Sequence, residues 1–441
     1  MERDAPSADE GLARRLTTGT LTLYGVGVIV GAGIYVLVGE VAGEVGDAVW
    51  LGFLLAAVAA LPTGLSYASL ASRHPRSAGE AVFAERAFGR PLLAFVVGYL
   101  VLASGVSSTA AVSHGFASYL GALVELPAWA DPVVLVGFLA ALSAVNYRGM
   151  EESMWLNGVC TVVSVGALVV LVAAGADRWG AVDAFDPTPP GGGTGGWALL
   201  SGAALAFYAF IGFEDICNVA EEVHAPQRTI PRAIALAVAL VSVIYVAVGL
   251  TVVAAVPPAE LAASETPLVL VAQRLLPSWP TGWLSAVALF AVTNTALFNL
   301  IMGSRILYGM ARQGWVPPLL GRVHPKRRTP TVGVWLVFGL AAAAALTGFL
   351  RVLAEATNVI ILLVFFSVNV SLLAIRAKRV PPDDPEVSTF DVPWVVPLVG
   401  AAITAYLVAQ FSPGAYLRAG VLAASGALLY GLARLRRAPD R

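Results

Sequence analysis

Twelve stretches of this chain are long and apolar enough to cross the hydrocarbon core of a bilayer, which takes about 20 residues of helix. They are Thr20–Ala42, Ala48–Leu70, Pro91–Leu123, Pro132–Asn146, Met154–Ala176, Trp197–Ala220, Ala233–Val256, Gly282–Ala311, Thr331–Leu350, Val352–Ile375, Trp394–Phe411 and Gly414–Leu435. No soluble fold could cover so much apolar surface, and lipid tolerates only structures that satisfy their own backbone polar groups. An all-α membrane protein is therefore predicted. Composition agrees: 58% of the 441 residues are hydrophobic and 12% are charged, about half the charge of a soluble domain. The formal net charge of −1 argues against a nucleic-acid partner. The first run exceeds a signal-peptide core and lacks a small-residue cleavage site after it, so it reads as a retained helix. Met1–Arg15 reads as a short disordered tail.

Lys and Arg placement orients the spans, because cytoplasmic loops retain positive charge. With the N-terminus inside, 23 of the 27 Lys and Arg fall in inner loops, adjoining helix ends and tails. Only Arg178, Arg274, Arg351 and Arg418 fall outside. Both termini are expected in the cytoplasm, with the chain in the plasma membrane. Between the second and third spans, Ala78–Phe88 mixes Glu80, Glu85 and Arg86 with Val82, Phe83 and Phe88, a pattern that suits a short amphipathic helix on the inner membrane surface. The proline- and glycine-rich Asp183–Gly196 reads as an outer linker.

Two spans carry unusual residues. The first contains GVGVIVGAGIYVLVG from Gly25 to Gly39, with glycines at 25, 27, 31, 33 and 39; each costs a helix about 1 kcal/mol relative to alanine. Two readings fit: close packing through small residues, or a break at Gly31-Ala32-Gly33 that frees amides in mid-membrane to attract a carboxylate. The sixth span, AFYAFIGFEDICNVAEEV from Ala206 to Val223, sets Glu214, Asp215 and Asn218 inside apolar sequence. Acids at that depth are functional candidates by default, although Asp215 serves equally well as a structural ion-pair partner. The first and sixth spans hold corresponding positions in two five-helix halves, and paired interrupted helices are the best sequence pointer to a transporter's midplane site.

Three motifs carry a resemblance. GAGIYVLVG at Gly31–Gly39, GFEDICNVAEEVHAPQRTIPRAI at Gly212–Ile234, and SRILYGMARQGWVP at Ser304–Pro317 with HPKRRTP at His324–Pro330 occur in that order. With twelve spans, the chain resembles the amino acid–polyamine–organocation superfamily, in the branch of prokaryotic permeases related to cationic amino acid transporters. The resemblance implies a ten-helix core of two inverted five-helix repeats, 20–176 and 197–377. It leaves an inner tail at 1–19, an outer linker at 177–196, two additional helices at 378–435 and a tail at 436–441.

It also implies how an amino acid is held. The amides of Gly31, Ala32 and Gly33 would bind its carboxylate, and the carbonyls of Ile29, Tyr208 and Ile211 its ammonium. Phe207, Tyr208 and Phe210 would supply a wall or gate, with ordinary aromatic packing the plainer reading for at least one of them. This chain departs from the branch where coupling is concerned. Relatives often carry a lysine on the fifth span where Ser164 aligns, and the eighth span has Thr293 and Thr295 but no adjacent hydroxyl pair of the kind a sodium site favours. Glu214 is left as the proton candidate. The family's acids near the inner gate are replaced by Ser69 and Gln313.

The expected function is secondary transport of an amino acid by alternating access, proton-coupled or by exchange, without a cofactor. A neutral substrate is expected, since the third, eighth and tenth spans hold no deep acid to balance a cationic side chain; Glu355 lies near the outer end. The runner-up is a permease for cationic amino acids, polyamines or another amine. A channel is a further class. A membrane enzyme would need a nucleophile or metal constellation, and no HExxH, P-loop, CxxC or Ser-His-Asp pattern is present. His114 reads as a packed, hydrogen-bonded residue.

Overall fold

The computed structural model describes residues 12–31, 33–121, 123–124, 127–181, 195–264, 266–280, 282–347, 350–378 and 390–435. Among them there is no strand, only isolated bridges between Leu16 and Val223 and between Val323 and Pro330. The helices are α1 (Thr18–Val30), α2 (Gly33–Val45), α3 (Val49–Arg73), α4 (Gly79–Phe88), α5 (Pro91–Gly121) and α6 (Asp131–Arg148). Then come α7 (Met150–Gly175), α8 (Gly195–Tyr208), α9 (Asp215–Asn218), α10 (Pro226–Ala255), α11 (Pro258–Ala263) and α12 (Pro267–Leu275). The last are α13 (Trp283–Arg312), α14 (Thr331–Leu346), α15 (Leu350–Ala377), α16 (Val395–Ala409) and α17 (Pro413–Leu435).

Eight helical stretches in the described residues are long and apolar enough to cross a membrane, and three further apolar helices are shorter. Large apolar side chains such as Trp155, Val162, Val243 and Leu417 are exposed on outward faces, where hydrocarbon accepts what water would penalise. The molecule is a helical membrane protein. Ten of the twelve predicted stretches coincide with one helix each, apart from a few residues at most ends. The other two, the first and the sixth, are broken. Helix α1 starts at Thr18 because Thr17 caps it: the Thr17 and Thr20 hydroxyls each accept from the other's backbone N–H, at 3.4 and 2.9 Å.

The helices sort into two packed groups. In one, α3 lies along α10, α1 against α10, and α8 against both α2 and α3. In the other, α5 lies along α13, and α14 packs on α5, α6 and α13. Helix α7 touches both groups, while α15 runs beside α5 and α3; α16 packs on α15 and α3, and α17 on α15 and α5. The break in the first span and the break in the sixth face the seam between the groups.

Three expectations need adjustment. The segment between α3 and α5 is a helix, α4, but it is packed into the protein rather than laid on it. It is wedged between α5 and α15, with Glu80, Val82 and Phe83 buried and Glu85, Arg86 and Phe88 at its outer edge. The N-terminal tail is tied down from Leu12 onward where described: the Arg15 and Leu16 amides donate to the Glu222 carbonyl at 2.8 and 2.9 Å. Arg305, counted by charge as an inner helix end, is fully buried. The outer linker at 183–194, the first 11 residues, the tail at 436–441 and the Glu355 side chain lie outside the described residues.

Candidate functional site

In the first span, α1 ends at Val30 and α2 begins at Gly33. Between them Gly31 has φ 29° and ψ −144°, a conformation that disfavours any residue with a Cβ. Ala32 lies outside the described residues. The glycine run both interrupts the helix and packs closely, at different positions. Gly31 serves the break, whereas a Cβ at Gly25 would come within 2.7 Å of Ile216, and one at Gly39 within 2.6 Å of the Leu261 carbonyl. In the sixth span, α8 ends at Tyr208 and regular helix resumes at Asp215. There Gly212, at φ 130°, sits so close to α1 that a Cβ would meet Val28 at 2.6 Å.

The two breaks line one cavity of about 270 Å3. Ile29, Gly31 and Gly33 contribute from the first span, and Tyr208, Ile211, Gly212, Glu214 and Asp215 from the sixth. The opposite wall comes from α5 (Ser104, Ser108, Val112), α13 (Thr295, Asn299, Met302) and α15 (Asn358, Ile361). Asn299 donates to the Ser108 hydroxyl at 2.9 Å, fixing two of these polar groups. The space is below the ~300–1,000 Å3 of sites that take drug-sized ligands and suits one small molecule.

Of the predicted site residues, the structure brings Ile29, Gly31, Gly33, Tyr208 and Ile211 together around this cavity. Phe207 and Phe210 are buried elsewhere: Phe207 packs edge-on to Phe365, and Phe210 edge-on to Tyr245 at 5.1 Å. Aromatic packing is thus the reading that fits both. The Gly31 amide closes the last turn of α1 on the Gly27 carbonyl at 3.2 Å. Gly33 opens α2, so its N–H is among those a helix leaves unspent. Two predicted carbonyls already accept a bond: Tyr208 from the Ile211 amide at 3.3 Å, and Ile29 from the Tyr245 hydroxyl at 2.9 Å. That same hydroxyl lies 3.0 Å from the Ala209 carbonyl, so one phenol on α10 bridges both breaks.

Glu214 turns back on its own chain, its carboxylate accepting the Gly212 N–H at 2.7 Å. The Asp215 backbone N–H donates to the Gly212 carbonyl at 3.2 Å, while its side chain lines the cavity with no hydrogen bond or ion pair among the described residues. Ser164 is buried on α7 away from the cavity; its carbonyl accepts from Tyr35 at 3.2 Å and its hydroxyl has no partner there. His114 bonds the Ala345 carbonyl at 2.9 Å, as a packed residue would.

Three polar clusters were not assembled by sequence reasoning, which named Asn218 and Glu80 only singly. Asn157 donates to Asn294 (3.0 Å) and Thr161 (3.1 Å), and Asn294 donates to the Gly27 carbonyl (3.2 Å), knotting α1, α7 and α13 together. Below the sixth span, Arg305 binds Glu222 through two bonds of 3.1 Å, with side chains 0% and 1% exposed; it also donates to Asn146 at 2.6 Å and Ser304 at 2.9 Å. Beside it, Asn218 donates to the buried Glu80 carboxylate at 3.3 Å and accepts the Gly79 amide at 3.3 Å. The signal for each was an amide or charge embedded in apolar sequence, visible but without a partner until the chain is folded. Among the described residues, no group of three His, Cys, Asp or Glu is arranged to hold a metal.

Comparison with known proteins agrees with this geometry. The family described as amino acid permease matches residues 16–430. The chain is 30% identical over 422 residues to the branched-chain amino acid permease BcaP of Bacillus subtilis, covering 90% of this chain and 88% of that one. It is 29% identical over 450 residues to the methylthioribose transporter of the same organism, with 97% and 95% covered. It is also 33% identical over 406 residues to cationic amino acid transporter 4 of Mus musculus, covering 86% of this chain but 62% of that longer one. The chain belongs to the amino acid permease family of the amino acid–polyamine–organocation superfamily.

Proposed function

We propose that this permease carries a neutral amino acid across the cell membrane by alternating access, coupled to protons through Glu214. The observation that carries the reading is the meeting of two broken helices at one small cavity, the arrangement in which half-helix ends bind what every amino acid shares. Amides at the start of α2 receive the carboxylate, and second lone pairs of the carbonyls at Ile29, Tyr208 and Ile211 receive the ammonium. Val112, Met302 and Ile361 then surround an apolar side chain.

Twelve spans, both termini in the cytoplasm, and two inverted repeats at 20–176 and 197–377 complete the scheme. The group of α1, α2, α3, α8 and α10 rocks against the group of α5, α6, α13 and α14. The branched-chain permease among the relatives favours the neutral class. One observation favours the runner-up, a cationic amino acid or other amine: Asp215 faces the cavity without a partner among the described residues.

A radiolabelled uptake panel in proteoliposomes, under imposed proton and sodium gradients, tests the reading. Leucine-like uptake that is proton-driven and saturable supports it, with Glu214→Gln abolishing accumulation but keeping exchange. Uptake restricted to arginine, lysine or amines, and lost in Asp215→Asn, installs the runner-up. Unaltered proton-driven accumulation in Glu214→Gln removes Glu214 from coupling.

A further inference from the structure

The proposed cycle loads a proton at the cavity but leaves open how that proton reaches the inner solution. Directly beneath the cavity, a buried acid stands outside the spans. Glu80, in the first turn of α4, is 2% exposed. No arginine or lysine acts on it; the groups that do are its own backbone amide, Asn218 of the sixth span and Tyr67 of α3. It lies within electrostatic reach of Glu214 and Asp215, one turn above Asn218, and of Cys217. The titratable groups described on the flanking helices, Tyr99, His114 and Tyr119 of α5 and Arg376 of α15, do not act on it.

Two features indicate that this carboxyl is built to change protonation rather than to pin the fold. Its one recorded side-chain bond is a long 3.3 Å contact from a neutral amide, where a structural acid at this depth would hold a cation. Close by, the Tyr67 hydroxyl is fully buried and approaches the same carboxyl without reaching hydrogen-bond geometry. It is an unspent donor aimed at the acid.

A second cavity lies close by. Val82, two residues along α4, lines a space of about 770 Å3 among Arg73, His74, Arg76 and Glu221. Glu221 also accepts the amide of Ser77, three residues before Glu80, at 3.1 Å.

We propose that Glu80 is the inner proton-binding station of this permease, taking the proton from the cavity acids and passing it to the cytoplasmic cavity. The step moves one proton from a cavity carboxyl to the Glu80 carboxylate, and no other bond changes. Asn218 positions Glu80 against the sixth span and carries no proton itself. Burial supports the role by pushing the Glu80 carboxyl up to about 7, where a shuttle near neutral pH both gains and loses its proton.

The inference rests on the proton-coupled reading above, and its test separates the two. Infrared titration of the purified protein should show a buried carboxyl changing state near pH 7 that is missing in Glu80→Gln. In proteoliposomes, with the amino acid that the uptake panel yields, Glu80→Gln should cut proton-driven net uptake about tenfold or more while exchange stays within about twofold. Glu80→Asp should restore part of the net rate. Gln is isosteric and neutral, so the variant keeps the buried shape; its elution as a monodisperse peak verifies this. Loss of exchange to the same extent as net uptake would make Glu80 structural and overturn the proposal. So would wild-type proton flux in Glu80→Gln, or an unchanged infrared band. A wild-type protein whose uptake ignores the proton gradient would instead sink the coupling reading, and the relay with it.

Discussion

Glu222→Met is the most quantitative perturbation of the inner seam. The Arg305–Glu222 pair is bidentate, and neither side chain has more than 1% exposure. Removing one charge leaves a guanidinium buried with Asn146 and Ser304 as its remaining partners. An uncompensated buried charge of this kind costs roughly 3–5 kcal/mol. Replacing both partners, as Glu222→Met with Arg305→Met, removes that charge. It also strips the Asn146 carbonyl oxygen of its 2.6 Å donor, which costs about 1–3 kcal/mol. The double variant is therefore expected to be more stable than the single one, although it has lost more bonds. Equilibrium unfolding in mixed micelles, run as a double-mutant cycle, measures both. A single variant within about 1 kcal/mol of wild type, or a double variant no better than the single, would show that the pair is not the desolvated ion pair described.

Three further outcomes follow from the structure. A Cβ at Gly33 would meet Ala209 at an ordinary 3.5 Å, so Gly33→Ala should retain most uptake, whereas the branched Gly33→Val should insert normally and lose it; yield and initial rate report the two effects. In a background lacking the buried Cys160 and Cys217, cysteine at Arg178 should react with an impermeant reagent from outside, and cysteine at Arg327 only after permeabilisation; the reverse pattern overturns the topology. Burial raises the Glu80 carboxyl from 4.5 to about 7, so the folded state binds the proton more tightly than the unfolded one. Its contribution to stability should be fully present below pH 4.5, fall by roughly 3 kcal/mol as pH rises to about 7, then level off; the difference between wild type and Glu80→Gln should show that slope.

What could be read from the residues divides by range. The spans were legible because hydropathy is local, and ten of the twelve boundary estimates fall on helices. The breaks were legible in part, since Gly31 and the acid-bearing sixth span stand out against their neighbours. The partners were not. Nothing in the spacing says that Tyr245 reaches both breaks, that Arg305 meets Glu222 across 83 positions, or that α4 is wedged inward so that Glu80 faces Asn218. Each depends on which helix faces come together, which one sequence does not encode locally. Phe207 and Phe210 show the converse: adjacency in a motif placed them near the site, but the direction of the backbone at the end of α8 and in the break turned them into the core.

The Tyr245 phenol has a consequence for how the molecule moves. It owns a single proton, yet two carbonyls from distant parts of the chain compete for it, at 2.9 and 3.0 Å. Any displacement that separates Ile29 from Ala209 must leave one of those buried oxygens without its donor, at a cost of about 1–3 kcal/mol. Displacements that keep them together cost nothing at this point. The cheapest trajectories are those in which both interruptions travel as one rigid cradle, so a cargo gripped between them would keep its coordination from one side of the bilayer to the other.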